Sequence, residues 1–225
     1  MDVLLIEKYF LWFILYSIIG WTYEVVLFLF TEKKFVNRGF LNGPYCPIYG
    51  YGALLVTITL SSIENILWLF LVGAVLTCTL EYLTSYAMEK LFNARWWDYS
   101  NMKCNINGRI CLLGAAAFGT MTVLAVKVIH PFVAGVTDMV SVEWIHISAA
   151  VTFVIFLTDN IITFRGMIDF RSKLKELKEL TNFSLSKLNY QQRRMFASFP
   201  KLKIIGREQI KEQIDKIKDS IAQKL

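Results

Sequence analysis

Two glutamates, Glu24 and Glu81, lie inside long apolar segments of this 225-residue chain and are the residues best placed to do chemistry. A carboxylate inside a membrane span costs about 2.5 to 3.5 kcal/mol on insertion scales, so it should face a partner or water and not lipid. Each acid lies on a helical stripe of small or polar residues suited to helix contact. The stripes are Ser17, Gly20 and Glu24 in one segment and Gly73, Thr77, Glu81 and Ser85 in the other. We therefore expect both acids to face the protein interior and to pair with cations or relay protons.

Arginines, asparagines and an aspartate gather in two segments beside these glutamates, 31–46 and 89–109. Both segments combine asparagine, glycine and aromatic residues, and the first also contains Pro44, unlike a solvated linker. They are therefore predicted to fold back against the helix ends as re-entrant or capping loops. Guanidinium groups suit carboxylates and phosphates, which predicts a polar cavity facing the cytoplasm for a small anionic or lipid-like ligand. Its predicted residues are Glu24, Arg38, Asn42, Glu81, Arg95, Asp98, Asn107 and Arg109.

The same residues also fit a structural interpretation. The arginines and carboxylates would then form pairs that fix helix packing, with Trp96, Trp97 and Tyr99 as an aromatic belt at the membrane interface. The asparagines have neighbouring glycines, which is equally typical of turns and caps.

No cofactor and no metal ion is predicted. The four cysteines include no C-x-x-C pair, and His130 and His146 are expected near the opposite face of the membrane. Cys46 is a conceivable nucleophile, but a small apolar residue between two prolines explains it better. The sequence has no phosphate-binding G-x-x-x-x-G-K-[ST] loop, no G-x-S-x-G and no H-E-x-x-H. These absences favour a non-enzymatic chain without deciding the question, and any ATPase that energises it must be a separate subunit.

The composition indicates an all-α, polytopic membrane bundle, since 55% of the residues are hydrophobic and the mean hydropathy is +0.45. A bilayer core needs about 20 apolar helical residues, and five segments approach that length. They are Tyr9 to Phe30, Pro47 to Ile63, Leu67 to Met88, Ile110 to Ile129 and Trp144 to Phe164. The second is the shortest, and the fifth carries Asp159. His130-Pro131 is predicted to end the fourth.

The charge distribution orients the bundle. Residues 1–163 have a formal charge of −2 and residues 164–225 one of +8. In the predicted topology 22 of the 24 basic residues lie on one side, and only Lys8 and Lys127 on the other. Because basic residues collect in cytoplasmic loops, the N-terminus is predicted outside and the C-terminus inside. The excess of basic residues is then explained by attraction to the anionic lipids of the inner leaflet, and we expect no nucleic-acid partner.

Two domains are predicted: a transmembrane bundle over residues 1–164 and a basic, amphipathic, helical cytoplasmic tail over 165–225. Phe199-Pro200 breaks the tail, and apolar residues recur beyond it at intervals of three or four. They are Ile210, Ile214, Ile217, Ile221 and Leu225. This seam suits a partner helix, the tail's own first helix or the membrane surface, and self-association through it is a hypothesis.

Several motifs together carry a family resemblance. They are Gly20-Trp21 with Glu24, the stretch Phe35 to Gly50, Glu81-Tyr82, Met88-Glu89, Arg95-Trp96-Trp97-Asp98-Tyr99 and Asn107-Gly108-Arg109. With them, the chain resembles the ABC-transporter type IV permease family of bacterial membrane proteins, over roughly Gly20 to Pro131. The Phe199-Pro200 break also resembles a feature of that family's tail. The resemblance implies an integral membrane subunit of an import or export system and supplies no catalytic residues.

The predicted function is a transport component in the bacterial cell membrane. One alternative is an intramembrane enzyme that acts on a lipid or lipid-linked substrate at the inner leaflet, with Glu24, Glu81 or Asp98 as general base. A second is a membrane scaffold without a ligand, in which the loops lock the bundle and the tail recruits partners.

Overall fold

The computed structural model describes residues 2–168, 170, 188–199 and 202–204, and it is built almost entirely of helices. In chain order the elements are α1 (Val3–Glu32), α2 (Pro47–Leu60), α3 (Ile66–Phe92), β1 (Ala94–Arg95), α4 (Leu112–Leu124), a π-helical turn (Ala125–Ile129), α5 (His130–Asp138), α6 (Val142–Met167), α7 (Tyr190–Ser198) and β2 (Lys203–Ile204). The strands pair antiparallel, Ala94 with Ile204 and Arg95 with Lys203.

The all-α prediction is confirmed. The apolar seam from Ile210 to Leu225 lies outside the described residues.

Four helices are long and apolar enough to cross a membrane: Val3–Glu32, Ile66–Phe92, Leu112–Asp138 and Val142–Met167. The second predicted span is the 14-residue α2. At 1.5 Å per residue it is about 21 Å long, against about 30 Å of hydrocarbon. The chain is thus a multi-pass membrane protein, while the number of five crossings and their orientation stay predictions.

The fourth span does not end at His130-Pro131, so that prediction is wrong. The helix continues to Asp138 through the π-helical turn, in which the His130 N–H bonds the Ala125 carbonyl five residues back. Proline lacks the N–H for the next α-helical bond, and its ring crowds the carbonyl four residues before it. The wider π turn accommodates both defects without ending the helix.

Small residues bring the helices into close contact, as the two stripes predict. A Cβ on Gly20 would lie 2.2 Å from the Tyr49 side chain, and one on Gly73 would lie 2.3 Å from Thr122. The closest backbone approach is at Gly50 of α2, where a Cβ would lie 2.3 Å from Ser17 Oγ and 2.5 Å from the Phe13 carbonyl oxygen. Lipid gives helices no hydrophobic driving force to associate, so van der Waals contact at such close approaches is one of the interactions that hold them together.

Gly50→Ala is expected to destabilise the α1–α2 contact by about 1 to 3 kcal/mol, since the new methyl meets a backbone carbonyl that cannot rotate away. The measurement is thermal unfolding of the purified protein in detergent. Gly52→Ala, in the same helix, is the control, because its Cβ meets only Leu80 Cδ2 at 3.7 Å. Equal unfolding midpoints for the two variants would contradict the predicted close packing at Gly50.

Polar contacts tie together the end of the bundle at which α1 begins. Lys8 Nζ lies 2.7 Å from Asp138 Oδ1, and His146 Nδ1 lies 2.5 Å from Glu7 Oε2. Lys127 Nζ donates to the Ile63 carbonyl at 2.7 Å. Lys8 and Lys127, the two basic residues assigned to the outer side, therefore share one end of the bundle. The other end, called the loop end below, carries residues 33–46 (the first loop), 93–111 (the second loop) and α7.

An aromatic core closes the loop end. Its buried members are Phe92, Ala94, Trp96, Met167, Phe170, Leu188, Met195, Phe196 and Leu202. The Trp96 side chain, 2% exposed, contacts the rings of Phe92, Phe40, Phe170 and Phe199 at centroid distances of 5.0–6.2 Å. The interpretation of Trp96 as part of an interfacial belt is therefore wrong, because it packs the loops and α7 onto the helix ends.

Candidate functional site

The first loop folds back along α1 and reaches the middle of that helix, which is deeper than the predicted position against the helix ends. Trp21 Nε1 donates to Asn37 Oδ1 at 2.8 Å, and the Cys46 backbone N–H donates to the Ser17 carbonyl at 2.9 Å. Ser17 lies 15 residues before the end of α1, which corresponds to about 22 Å along the helix axis. α2 thus begins near the middle of α1, and the irregular first loop supplies the rest of the path.

Asp159 of α6 holds the first loop at this depth. Its Oδ1 accepts from the backbone and side-chain nitrogens of Asn42 at 3.1 and 2.8 Å. Its Oδ2 accepts from the Gly43 N–H and the Tyr45 hydroxyl, both at 2.7 Å. Non-helical backbone at membrane depth needs such internal partners. Asn42, one of the predicted site residues, therefore contacts Asp159. Asp159 was not predicted as a site residue, although it too is an acid in an apolar span.

Helix α7 makes hydrogen bonds to residues 37–40 of the first loop. Arg194 donates to the Gly39 and Phe40 carbonyls at 2.9 and 2.6 Å. The Ser198 hydroxyl donates to the Asn37 carbonyl at 2.6 Å, and Arg38 donates to the Ser198 carbonyl. Neither Arg194 nor Ser198 was predicted to have a role, because the sequence of an amphipathic helix does not show which segment its polar residues will contact.

The start of α7 is fixed by a capping box. The Asn189 side chain accepts from the Gln192 N–H, and the Gln192 side chain accepts from the Asn189 N–H. Both side chains also donate to the Gly166 carbonyl of α6, at 2.9 and 3.2 Å. The tail helix is thus attached to α6 and to the first loop together.

Glu24 and Arg38 are brought together, as the predicted site requires. Glu24 Oε1 accepts from the Tyr49 hydroxyl at 2.6 Å, and Glu24 Oε2 lies 3.6 Å from Arg38 Nη2. The Arg38 guanidinium also lies over the rings of Phe28 and Phe199, at 4.8 and 5.4 Å from their centroids. This arginine therefore links α1, the first loop and the end of α7.

Arg95, Asp98, Asn107 and Arg109 form a second cluster, and its centre is Glu89. Glu89 Oε2 lies 2.9 Å from Arg95 Nε and 2.8 Å from Arg109 Nη2. Arg95 Nη1 also donates to the Asn107 carbonyl at 2.9 Å and lies 3.7 Å from Asp98 Oδ1. Two carboxylates thus balance two guanidinium groups. Glu89 was part of the family motif but was not predicted as a site residue.

The most buried arginine of this cluster is Arg109, which is 5% exposed. It donates to Ser85 Oγ at 3.2 Å and lies 5.5 Å from the ring centroids of both Tyr82 and Tyr86. Asn107 donates to the Tyr82 hydroxyl at 2.9 Å and has a left-handed φ of 53°. Asparagine tolerates this conformation better than most residues, so the turn chemistry considered for the asparagines applies to Asn107.

Glu81 forms no ion pair with an arginine of the described residues. Its Oε1 accepts from the Tyr99 hydroxyl at 3.1 Å, and its Oε2 is buried without a hydrogen-bond partner among the described residues. Burial raises the pKa of Tyr99 above its usual range, and the charge of Glu81 and the hydrogen bond to it raise it further. Tyr99 is therefore a neutral phenol that donates. An unsatisfied carboxylate oxygen in an apolar interior is costly, which marks Glu81 as the least structurally explained acid of the site.

Two open surface pockets within the described ranges lie away from Glu24, Glu81 and the three predicted arginines. One is lined by apolar residues of α3 and α4, among them Phe70 and Val123. The other lies between α6 and α7 beside the first loop, and includes Asn42 and Asp159. The predicted cavity walled by Glu24 and Glu81 thus stays a prediction. The described residues contain no group of three His, Cys, Asp or Glu side chains able to hold a metal ion.

The comparison with known families matches residues 11–164, which include both loops, Asp159 and every predicted site residue. Comparison with curated proteins and with solved structures gives no significant match. The family match covers more than half of the chain and confirms the resemblance inferred from the motifs. The chain belongs to the family described as "Putative ABC-transporter type IV".

Proposed function

We propose that this chain is the membrane-embedded subunit of an ABC-type transport system in the bacterial cell membrane, and that a separate ATPase subunit supplies the energy. The family match and the four membrane-length helices support the general setting. The sequence lacks a phosphate-binding loop of its own, which is why the ATPase is assigned to another chain.

The observation that carries the proposal is the first loop, which reaches the middle of α1 as irregular backbone lined by polar groups. Transporters place interrupted helices and unwound backbone at the membrane midplane, where these segments line a substrate path. A scaffold needs no such segment, because a continuous helix satisfies the backbone at less cost.

The proposed ligand is a small anion or an anionic, lipid-like molecule that binds at the loop end through Arg38, Arg95 and Arg109. In the structure these arginines are held by Glu24, Glu89 and Asp98. A phosphate or carboxylate presents the same oxygen pair to a guanidinium. Ligand binding would therefore exchange an internal carboxylate for an external one, and Glu81 would take up or release a proton as the local charge changes.

The first test asks whether the chain works with an ATPase. The tagged full-length chain is purified from membranes of its source in mild detergent, and ATP hydrolysis by the purified fraction is measured with and without vanadate. We expect vanadate-sensitive hydrolysis in that fraction and none in a fraction prepared from untagged cells. Equal activity in the two fractions would contradict the proposal.

Glu81→Gln is expected to lower the ATP hydrolysis of this complex by about 2- to 30-fold, the range of coupling energies of 0.5 to 2 kcal/mol. The amide keeps the size of the side chain, so the unfolding midpoint should stay close to that of the wild type. Glu64→Gln, at an exposed position between α2 and α3, is the matched control and should hydrolyse ATP normally. Unchanged hydrolysis in Glu81→Gln would favour the scaffold.

One observation favours an intramembrane enzyme as the second candidate. Glu81 has a buried carboxylate oxygen with no hydrogen-bond partner among the described residues, and such an oxygen can accept a substrate proton. This candidate predicts that deletion of the gene alters the membrane lipid profile, and that expression of the Glu81→Gln variant does not restore it.

A further inference from the structure

A groove of about 910 Å³ lies beside the junction of α6 with the start of α7, at the loop end of the bundle. Ile155, Thr158 and Ile162 of α6 form one wall, and Asn189 and Tyr190 border the end nearest α7. The volume is that of a typical small-molecule site. This groove is separate from the clusters of Arg38, Arg95 and Arg109 and does not depend on the transport proposal.

The α6 wall of the groove faces the surroundings of the bundle. Ile155, Thr158, Ile162 and Arg165 follow one another at spacings of three or four, so they share one face of the helix. Ile155 and Ile162 are each 58% exposed. Because α6 is long and apolar enough to cross a membrane, these exposed apolar side chains contact acyl chains and not water.

Two exposed arginines lie next to lining residues of the groove along the chain: Arg165 directly precedes Gly166, and Arg193 follows Gln191 by two positions. Arg165 lies in the last turn of α6, and its side chain makes no hydrogen bond or ion pair within the described part of the chain. Arg193 lies one turn after Tyr190 in α7 and uses its Nε to bond the Leu188 carbonyl. The Arg193 terminal nitrogens thus remain for a ligand. Tyr190 itself is 77% exposed.

Asp159, the acid that lines the groove, does not prevent a negatively charged ligand from binding there. Asp159 already accepts hydrogen bonds from Asn42, Gly43, Tyr45 and Thr163. It lies six residues before Arg165, which is about 9 Å along the helix axis. Asp159, the one charged residue of the groove lining, thus has its carboxylate engaged by these donors, while Arg165 and Arg193 add two positive charges near the lining residues along the chain.

We propose that this groove binds an anionic phospholipid of the leaflet at the loop end. Arg165 and Arg193 bind the phosphate, the Tyr190 hydroxyl lies at the level of the head group, and an acyl chain follows Ile155 and Ile162. Charge complementarity and an apolar wall that runs into the bilayer together select this occupant. A bound lipid here would also strengthen the attachment of α7 to α6.

Native mass spectrometry of the purified full-length protein, titrated with phosphatidylglycerol or phosphatidylcholine, tests the proposal. The double variant Arg165→Gln/Arg193→Gln is expected to bind phosphatidylglycerol at least about tenfold more weakly than the wild type. Lys34→Gln/Lys103→Gln removes the same charge from exposed positions at the loop end and should bind as the wild type does. Equal loss in both double variants, or equal wild-type binding of the two lipids, would overturn the proposal.

A second pair of variants tests the groove without changing charge. Thr158→Phe fills the groove and should reduce phosphatidylglycerol binding to a similar extent. Val151→Phe adds the same bulk to an exposed position of α6 outside the groove and should leave binding unchanged. Wild-type binding by Thr158→Phe would show that the lipid does not enter the groove.

Discussion

Asp159→Asn is expected to release the first loop from its position in the bundle. If the new amide nitrogen replaces Oδ2, it faces the Gly43 N–H and the Tyr45 hydroxyl, both of which now donate to that oxygen at 2.7 Å. If it replaces Oδ1, it faces the two Asn42 donors. A buried N–H left without an acceptor costs about 1 to 3 kcal/mol, and bonds to a charged acceptor are the stronger ones. If the free energy that holds the loop closed falls by about 2 kcal/mol, the fraction of molecules with an open loop rises about 30-fold.

Cys46 reports this opening without any added label site. It is a buried free thiol at the end of the first loop, 7% exposed, whereas Cys104 in the second loop is exposed and free. N-ethylmaleimide modification of each cysteine is followed by peptide mass spectrometry in detergent. We expect Cys46 to react about 30-fold faster in Asp159→Asn, as calculated above, and Cys104 to react at its wild-type rate.

A matched control separates loop release from general destabilisation. Glu143→Gln makes the same acid-to-amide change at an exposed position in the first turn of α6, and Cys46 should stay protected in it. Faster reaction at Cys78 and Cys111, which are buried elsewhere in the bundle, would indicate global unfolding. Unchanged protection of Cys46 in Asp159→Asn would mean that Asp159 does not hold the loop.

The sequence was sufficient for the helical class and for most helix positions, because long apolar runs leave few alternatives in a bilayer. It also located the two loops, since glycine, asparagine and tryptophan beside turns are unusual in linkers. The end of the fourth span was wrong because a proline ordinarily ends a helix. Only the three-dimensional structure shows that the π-helical turn before Pro131 allows continuation.

The members of the site were more predictable than their partners. Acids inside apolar runs stand out, so Glu24 and Glu81 were found, although the same criterion should have selected Asp159. Glu89 was missed because it lies in the last turn of α3, where a charge near the membrane interface needs no special explanation. Because the arginines gather in segments beside the glutamates, they were expected to meet Glu81, whereas the fold directs Arg95 and Arg109 to Glu89.

Glu89→Gln is expected to destabilise the loop end by about 3 kcal/mol, because it leaves two largely buried guanidinium groups without their shared carboxylate. The side chains of Arg95 and Arg109 are 17% and 7% exposed. For a chain of this size the loss corresponds to a midpoint lower by about 6 to 12 °C in thermal unfolding. Asp138→Asn is the control, since it breaks the Lys8–Asp138 pair, in which the acid is 67% exposed, and should cost less than about 1 kcal/mol.

The same variant distinguishes a ligand-binding cluster from a purely structural one. If the Arg95 and Arg109 guanidinium groups can bind an external anion, inorganic phosphate should restore part of the lost midpoint in Glu89→Gln and leave the wild type unchanged. Adding Arg109→Met to Glu89→Gln should abolish that rescue, because only one guanidinium group remains to hold the anion. Rescue that persists without Arg109, or equal stabilisation of the wild type by phosphate, would show that phosphate acts elsewhere on the protein. No rescue at all would leave Glu89 as a packing element, and the anionic ligand of the transport proposal would then lack two of its three binding groups, Arg95 and Arg109.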